Sequence, residues 1–315
     1  MRMLKSVMTM LRREETPAPS VSVVIPFYGS ASELQTSIAS LQCQTRRDIE
    51  VIVVADGCLI DDEAVCSLRE KKVPVQIIRL PKRQGPFQAR TVGAERSTGE
   101  HLWFLDHDDY VEPDFVEQML ARSLESEADI VECPFIIEKP GERPYLFQRF
   151  GEDVIRREDE ILEKYMIGES HNNLANKLIR RALWIRAMEK LEELGAPSRE
   201  RLIFCEDLLC TIILYSMAHR YASTRSTAYH YIQREGSTMN DLEPNTITEC
   251  LKSLEVAIEI IWPLLTSLCS PVSLQAFRRR ELDWAVEELL GRACNCLGAN
   301  EWALVAKIQR HYIGS

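Results

Sequence analysis

Three carboxylates, Asp106, Asp108 and Asp109, fall within four positions, directly after the apolar run HLWFL at 101–105. A short apolar, aromatic run bounded by Ser97, Thr98 and Gly99 reads as a buried parallel strand. The acids then stand where the strand leaves the sheet, and open α/β sheets bind ligands at that carboxyl edge. Like charges this close repel, and burying them unpaired is expensive. A divalent cation removes the conflict, because hard cations prefer oxygen ligands. Asp106 and Asp108 are the expected metal pair, whereas Asp109 reads as a solvated loop residue or as the N-cap of the next helix.

Glu206 and Asp207 form a second acidic pair, ahead of the apolar run 208–217. As residues alone they read either as a helix cap or as reacting carboxylates. Asp56, before Gly57, reads as a turn residue. His107 and His171 lack a second histidine at ligand spacing, so they read as local hydrogen-bonders.

The elements that must hold these groups follow from the patterning. Strands are expected at 21–26, 50–55, 75–80 and 129–133, besides the run before the acids. Ser30 to Glu33 has the spacing of a capping box, and Leu34, Ile38 and Leu41 give the next helix one apolar face. Further helices are expected from Asp61 or Asp62, from Gly85-Pro86 through Arg96, and after Pro113. This alternation through Phe135 is that of a parallel sheet with helices on both faces. No GxGxxG follows the first strand and no GxxxxGK[ST] occurs, so the common phosphate grips are missing. Residues 140–160 read as a loop, 174–194 as a helix with Asn176 and Lys177 near its start, and Tyr229 onward as a strand entering a loop. From Asn245 the chain reads as two or three amphipathic helices around Trp262, Trp284 and Trp302.

The 315 residues suffice for one large α/β domain and a smaller appendage. A net charge of −10 argues against a nucleic-acid partner, which demands a basic field. An anionic substrate must therefore be held by local cations or a metal. The ten cysteines lack zinc-finger rhythm, Cys294 and Cys296 being one close pair, and read as reduced packing residues of a cytoplasmic protein. No secretory leader and no membrane span are expected. Residues 1–13 carry Arg2, Lys5, Arg12 and Arg13 without an acid, and their apolar residues share a helical face. This arm fits the surface of an anionic bilayer at the inner face of the membrane, or a small packing helix. A stiff linker, 14–19, follows it.

Seven stretches, in order, resemble the family 2 inverting glycosyltransferases of the GT-A fold. They are VSVVIPFY at 21–28, VIVVADG at 51–57, RQGPFQARTVG at 83–93, LDHDD at 105–109, NKLIRR at 176–181, CED at 205–207 and YIQREGS at 231–237. The resemblance implies a GT-A type, Rossmann-like nucleotide-binding sheet over 20–240, with a donor half at 20–135 and an acceptor half at 136–240. The C-terminal helical region, 241–315, lies outside it. It implies a nucleoside pocket of Pro26, Tyr28, Asp56 and Arg90, with Asp56 toward the uracil. Asp106 and Asp108 would be a DXD pair that meets the ribose and diphosphate through Mn²⁺ or Mg²⁺. Asp207, paired with Glu206, would be the catalytic base. Ala55 departs from the acidic pair common in the family before the glycine.

The expected activity is therefore inverting transfer of a sugar from a UDP-sugar to a saccharide or lipid-linked acceptor, in surface glycan assembly. The metal neutralises the leaving diphosphate, helped by Lys177 or Arg234. The terminal helices would close the acceptor site, pair protomers into a homo-oligomer or meet the membrane. Two rivals are a nucleotidyltransferase, distinguished by its leaving group, and a non-catalytic partner subunit that keeps the fold.

Overall fold

A computed structural model describes residues 19–30, 32–60, 62–70, 72–196, 202–233, 244–293, 299–308 and 310. The basic arm, Arg234 and the Cys294/Cys296 pair lie outside the described residues. The first strand, β1 (Val21–Phe27), is buried along its whole length between β2 (Ile49–Asp56) and β4 (His101–Phe104), and β3 (Val75–Leu80) lies beyond β2. All four are parallel, with Val23 opposite Val51 and Val21 opposite His101. Strands buried on both faces need apolar residues, which is why β1, β2 and β4 do not alternate, whereas the edge strand β3 is only partly buried and carries Gln76 and Arg79.

Successive side chains of β1 enter different layers. Val24 joins Ile52, Val54 and Phe104 under α3 (Pro86–Arg96), while Val23 and Ile25 join Leu34, Ile38 and Leu41 of the opposite layer. The latter belong to α1 (Gln35–Gln42) and its entry turn. The capping-box expectation survives in part: Glu33 Oε2 accepts the Ser30 N–H at 2.6 Å, but the helix starts later, at Gln35. A 3₁₀ turn (Asp62–Val65), α2 (Cys66–Glu70) and α4 (Phe115–Ser126) complete this first half.

The main-sheet strands expected before Phe135 all run parallel, and beyond β4 later segments make the sheet mixed. Its order is β3-β2-β1-β4-β10-β6-β11-β9. β10 (Lys177–Arg180) runs antiparallel to both β4 and β6 (Ile130–Glu132), and β9 (Ile155–Arg157) runs antiparallel to β11 (Arg220–Ser223). Residues 177–180 are therefore not helical as expected; the helix α6 starts at Arg181 and ends at Glu193. A four-residue strand leading into a helix carries too few residues to show its own period. The segment read as a loop also holds structure, namely β8 (Tyr145–Phe147), β9 and the start of α5 (Glu158–Met166).

A smaller sheet, ordered β5-β12-β7-β8, joins β5 (Tyr110–Val111), β12 (Tyr229–Ile232), β7 (Phe135–Glu138) and β8. It grips the chain immediately after the acidic cluster. The expected strand at Tyr229 is β12.

The C-terminal part holds α8 (Pro244–Leu268), α9 (Pro271–Phe277), a π turn (Arg278–Asp283), α10 (Trp284–Ala293) and α11 (Ala299–Ile308), more helices than expected. Ile247, Leu251, Leu254, Ile258, Ile261 and Leu265 line one face of α8 and join the core above α7 (Glu206–Met217). Trp262 packs against this core as expected, whereas Trp284 and Trp302 are 45% and 49% exposed. Among the described residues no helix is long and apolar enough to cross a membrane.

Gly93 lets α3 lie directly on the sheet. A Cβ there would come within 2.3 Å of Val24 Cγ1 and 3.2 Å of Val54 Cγ2. Both valines are buried on β1 and β2, so neither can swing aside. Gly93→Ala is expected to destabilise the protein by about 1–3 kcal/mol through overpacking. Urea denaturation should show a lower midpoint at unchanged slope.

Candidate active site

The acids at the end of β4 take three different environments. Asp109 is only 1% exposed and accepts from Tyr229 Oη at 2.8 Å and from the Ile232 N–H at 2.8 Å. It ties the loop to β12, so it is neither solvated nor a cap; the N-cap of α4 is Asp114. Burial, and then the charges of Asp106 and Asp108, hold its pKa well above the usual carboxylate range. Asp106 and Asp108 are partly exposed. The Asp106 N–H donates to the same Tyr229 hydroxyl at 3.2 Å, so one tyrosine fixes both ends of the cluster.

The second acidic pair reaches this loop through one arginine. Cys205 turns into the left-handed region at φ 60°, and α7 begins at Glu206. Glu206 and Asp207 thus occupy the first turn, where the helix dipole favours negative charge. Arg90, from α3, is 5% exposed. Its Nη2 donates to Asp106 Oδ1 at 3.0 Å, and its Nη1 donates to Asp207 Oδ1 at 3.0 Å and Glu206 Oε1 at 3.2 Å. Asp207 Oδ2 receives the Leu174 N–H at 3.4 Å.

One cation faces three carboxylates, and the proton affinities follow. Burial opposes the charge on Arg90, but Asp207, Asp106 and Glu206 together outweigh it and raise its pKa. Burial and the charge of Asp207 push Glu206 up to about 7, against Arg90. Burial also raises Asp207, again opposed by Arg90.

Asp56 closes β2 and is 4% exposed. Its Oδ1 takes the Gln84 N–H at 2.6 Å and its Oδ2 the Gly85 N–H at 2.8 Å. It therefore anchors the loop before α3 rather than its own turn. Gly57, at φ 72°, lies so close to that loop that a Cβ would meet Arg83 N at 2.2 Å. Pro26 is buried in β1 opposite Val54, and Tyr28, 47% exposed, carries the Arg83 guanidinium 3.8 Å over its ring. Arg83 was not singled out from sequence, although it opens the RQGPF stretch.

Lys177 is corrected by its burial. At 0% exposure its Nζ donates to the His171 carbonyl at 2.9 Å, to Asn176 Oδ1 at 3.1 Å and to the Asn173 carbonyl, and lies 3.5 Å from Glu132. An ammonium committed in this way is not presented to a diphosphate. Glu132 was missed, although an acid inside the apolar strand run 129–133 is itself a signal. It is fully buried and accepts from Tyr215 Oη at 2.9 Å, Tyr221 Oη at 3.1 Å, the His171 N–H at 3.1 Å and Ser170 Oγ. His171 packs against Phe147 and Phe135, and burial pushes its pKa down to about 3. His107 meets Phe27 edge-on.

Among the described residues no three His, Cys, Asp or Glu side chains form a ready-made metal cage. Asp109 is bonded through both oxygens to protein donors. Asp106 and Asp108 stay partly exposed and offer carboxylate oxygens, the donor type that a hard cation prefers.

Because Glu206 holds its proton to about 7 in the folded protein, the native state is favoured below the ordinary carboxylate pKa. That advantage is lost as pH rises through 7. Glu206→Gln removes the titration. Its stability relative to wild type is expected to rise by about 1–3 kcal/mol between pH 4.5 and 8. Paired denaturation curves at the two pH values check the sign.

The sequence pattern of glycosyl transferase family 2 matches residues 22–184. EpsH of Bacillus subtilis (strain 168), which carries a glycosyltransferase name, is 29% identical over 226 residues, 69% of this chain. The chain spans 61% of the length of that relative. The crystal structure of S. aureus TarS 1-349 in complex with UDP-GlcNAc superimposes with a TM-score of 0.54 at 18% identity, covering 92% of this chain and 85% of that one. The mannosyltransferase PcManGT from Pyrobaculum calidifontis, in complex with GDP-Man and Mn²⁺, gives 0.53 at 16% identity, covering 93% and 80%. The two solved structures share the fold, and the family match spans more than half of the chain: this protein belongs to glycosyl transferase family 2.

Proposed function

We propose that the protein transfers a sugar from a UDP-sugar to a hydroxyl of a saccharide or lipid-linked saccharide, with inversion at the anomeric carbon. The observation that carries this reading is the Arg90 bridge. It holds Asp106, at the end of β4, and Asp207, at the start of α7, on one guanidinium. A donor-binding acid and a proton acceptor must flank one reaction centre, and the shared guanidinium supports reading Asp106 and Asp207 as that pair.

Asp207 takes the proton of the attacking hydroxyl as the new glycosidic bond forms. The bond to the nucleotide breaks, and its electron pair leaves on the diphosphate. Burial makes Asp207 a stronger base than a surface aspartate, while Arg90 keeps it ionised. Tyr28, Arg83 and the loop anchored by Asp56 form the nucleoside side. Asp106 and Asp108 would hold Mn²⁺ or Mg²⁺, which supplies Lewis-acid neutralisation of the leaving diphosphate. UDP-GlcNAc in TarS and GDP-Man with Mn²⁺ in PcManGT support a nucleotide-sugar donor and a divalent ion. The arm at 1–13, with four basic residues and no acid, supports work at the inner membrane surface in glycan assembly.

Asp207→Asn is expected to lower turnover by about 10²–10⁴-fold, with UDP affinity preserved. Release of UDP, measured at saturating donor, checks it; unchanged turnover removes Asp207 from the role. Asp108→Ala is expected to abolish metal-dependent nucleotide binding. Titration calorimetry with UDP and Mn²⁺ reads this directly, and wild-type affinity would count against the assignment.

A further inference from the structure

The family pattern ends at residue 184, yet a carboxylate well beyond it reaches the loop beside Asp207. Glu281 lies in the π turn 278–283 and is 4% exposed. Its Oε2 accepts from Asn172 Nδ2 at 3.1 Å, and its Oε1 accepts from Arg149 Nη1 at 3.2 Å and Arg280 Nε at 2.8 Å. π turns are rare and cluster at functional sites. Arg280 extends the grip: its Nη1 donates to the Met166 carbonyl at 2.9 Å and its Nη2 to the Tyr165 carbonyl at 2.7 Å. Gly168, at φ 99°, admits this guanidinium, which a Cβ would approach to 3.0 Å.

The loop these groups hold is tied down from two other sides. Thr211 Oγ1, one turn along α7 from Asp207, donates to the Asn172 carbonyl at 2.8 Å. Lys177 binds the His171 and Asn173 carbonyls from beneath. What emerges at the far end is the Leu174 N–H on Asp207 Oδ2, at 3.4 Å. That distance is at the outer limit of a useful hydrogen bond, so a shift of a few tenths of an ångström decides whether it is made.

We propose that Glu281 is a positioning residue: through Asn172 it sets the loop that presents the Leu174 N–H to Asp207, which makes the C-terminal helices part of the catalytic unit. The inference rests on Asp207 being the base. The Leu174 bond stabilises the carboxylate, beside Arg90 from α3 and Lys177 from β10 and against Asp106, while Glu206 is the neighbour that Asp207 itself raises. Loss of the Leu174 bond raises the pH at which Asp207 becomes a working base.

The test uses the full chain and, from a panel of UDP-sugars, the donor that wild type cleaves fastest, with UDP release as readout. Glu281→Ala is expected to lower kcat about 10–100-fold with donor KM within twofold, and to move the acid limb of the kcat–pH profile upward. Glu281→Gln, which keeps an acceptor for Asn172, should recover part of the loss. Asn172→Ala alters the same link from the loop side without touching the C-terminal helices. It should match Glu281→Ala, and the double variant should lose little more than either alone. Hydrogen exchange should show faster exchange across 168–176 in each variant. Asp207→Asn is measured in parallel. If it is impaired while Glu281→Ala and Asn172→Ala keep the wild-type kcat and pH profile, the positioning role is overturned. Fully additive losses overturn it as well. If Asp207→Asn turns over normally, the base assignment itself fails, whatever Glu281 does.

Discussion

One buried guanidinium sets the geometry of this site. Arg90 leaves α3 and meets acids contributed by two remote segments, the loop after β4 and the first turn of α7. Without that cation, three carboxylates in a largely buried space would repel one another, and each would carry its own desolvation penalty. With it, the sheet half and the helical half of the molecule are locked in register at the one place where register matters. A lysine could not do this, because it offers a compact point charge rather than a planar fork. The contact of α3 with the sheet is therefore as much a part of the site as the acids. Gly93 lets the helix approach β1, and that approach fixes where the guanidinium emerges.

A second buried ion pair supports the first from below. Glu132 and Lys177 are both completely buried, a setting in which an incompletely bonded pair is destabilising. Here the remaining capacity is filled. Two tyrosine hydroxyls, a serine and a backbone N–H satisfy the acid; two backbone carbonyls and a side-chain amide satisfy the ammonium. The network joins β6, β10, α7 and β11 to the loop 170–176. That loop reaches Asp207, so the buried pair connects the middle of the mixed sheet with the acidic site.

The parts of this arrangement written in contiguous residues were legible in the sequence. Buried parallel strands show as unbroken apolar runs, and the acidic loop at 106–109 directly follows one. The pair Glu206-Asp207 stands at the start of an apolar helix. Parts that depend on contacts between distant residues were not legible. Nothing in the spacing of Lys177 says that its ammonium turns inward to Glu132, so it read as a cation for the diphosphate. Nothing near Asp109 says that Tyr229, far along the chain, will bury it. β10 is four residues long and passed for the first turn of α6. Trp284 and Trp302 looked like core by type, while the contact with α7 is made by aliphatic residues at helical spacing along α8.

The charge balance of the site bears on the proposed chemistry. Asp106, Glu206 and Asp207 converge on Arg90, on a chain whose overall charge is −10. One proton on the Glu206–Asp207 pair relieves part of this excess, which is why Glu206 titrates near neutrality. A nucleoside diphosphate would bring further negative charge to the same place. Lys177 is buried beneath the loop, and Arg83 lies over the Tyr28 ring. Under the proposed function, a divalent cation on Asp106 and Asp108 then serves two needs at once. It would screen the acids from the diphosphate in the ground state and would supply Lewis-acid stabilisation of the leaving diphosphate. An arginine already shared among three carboxylates could not meet the second need without releasing Asp207, the proposed proton acceptor.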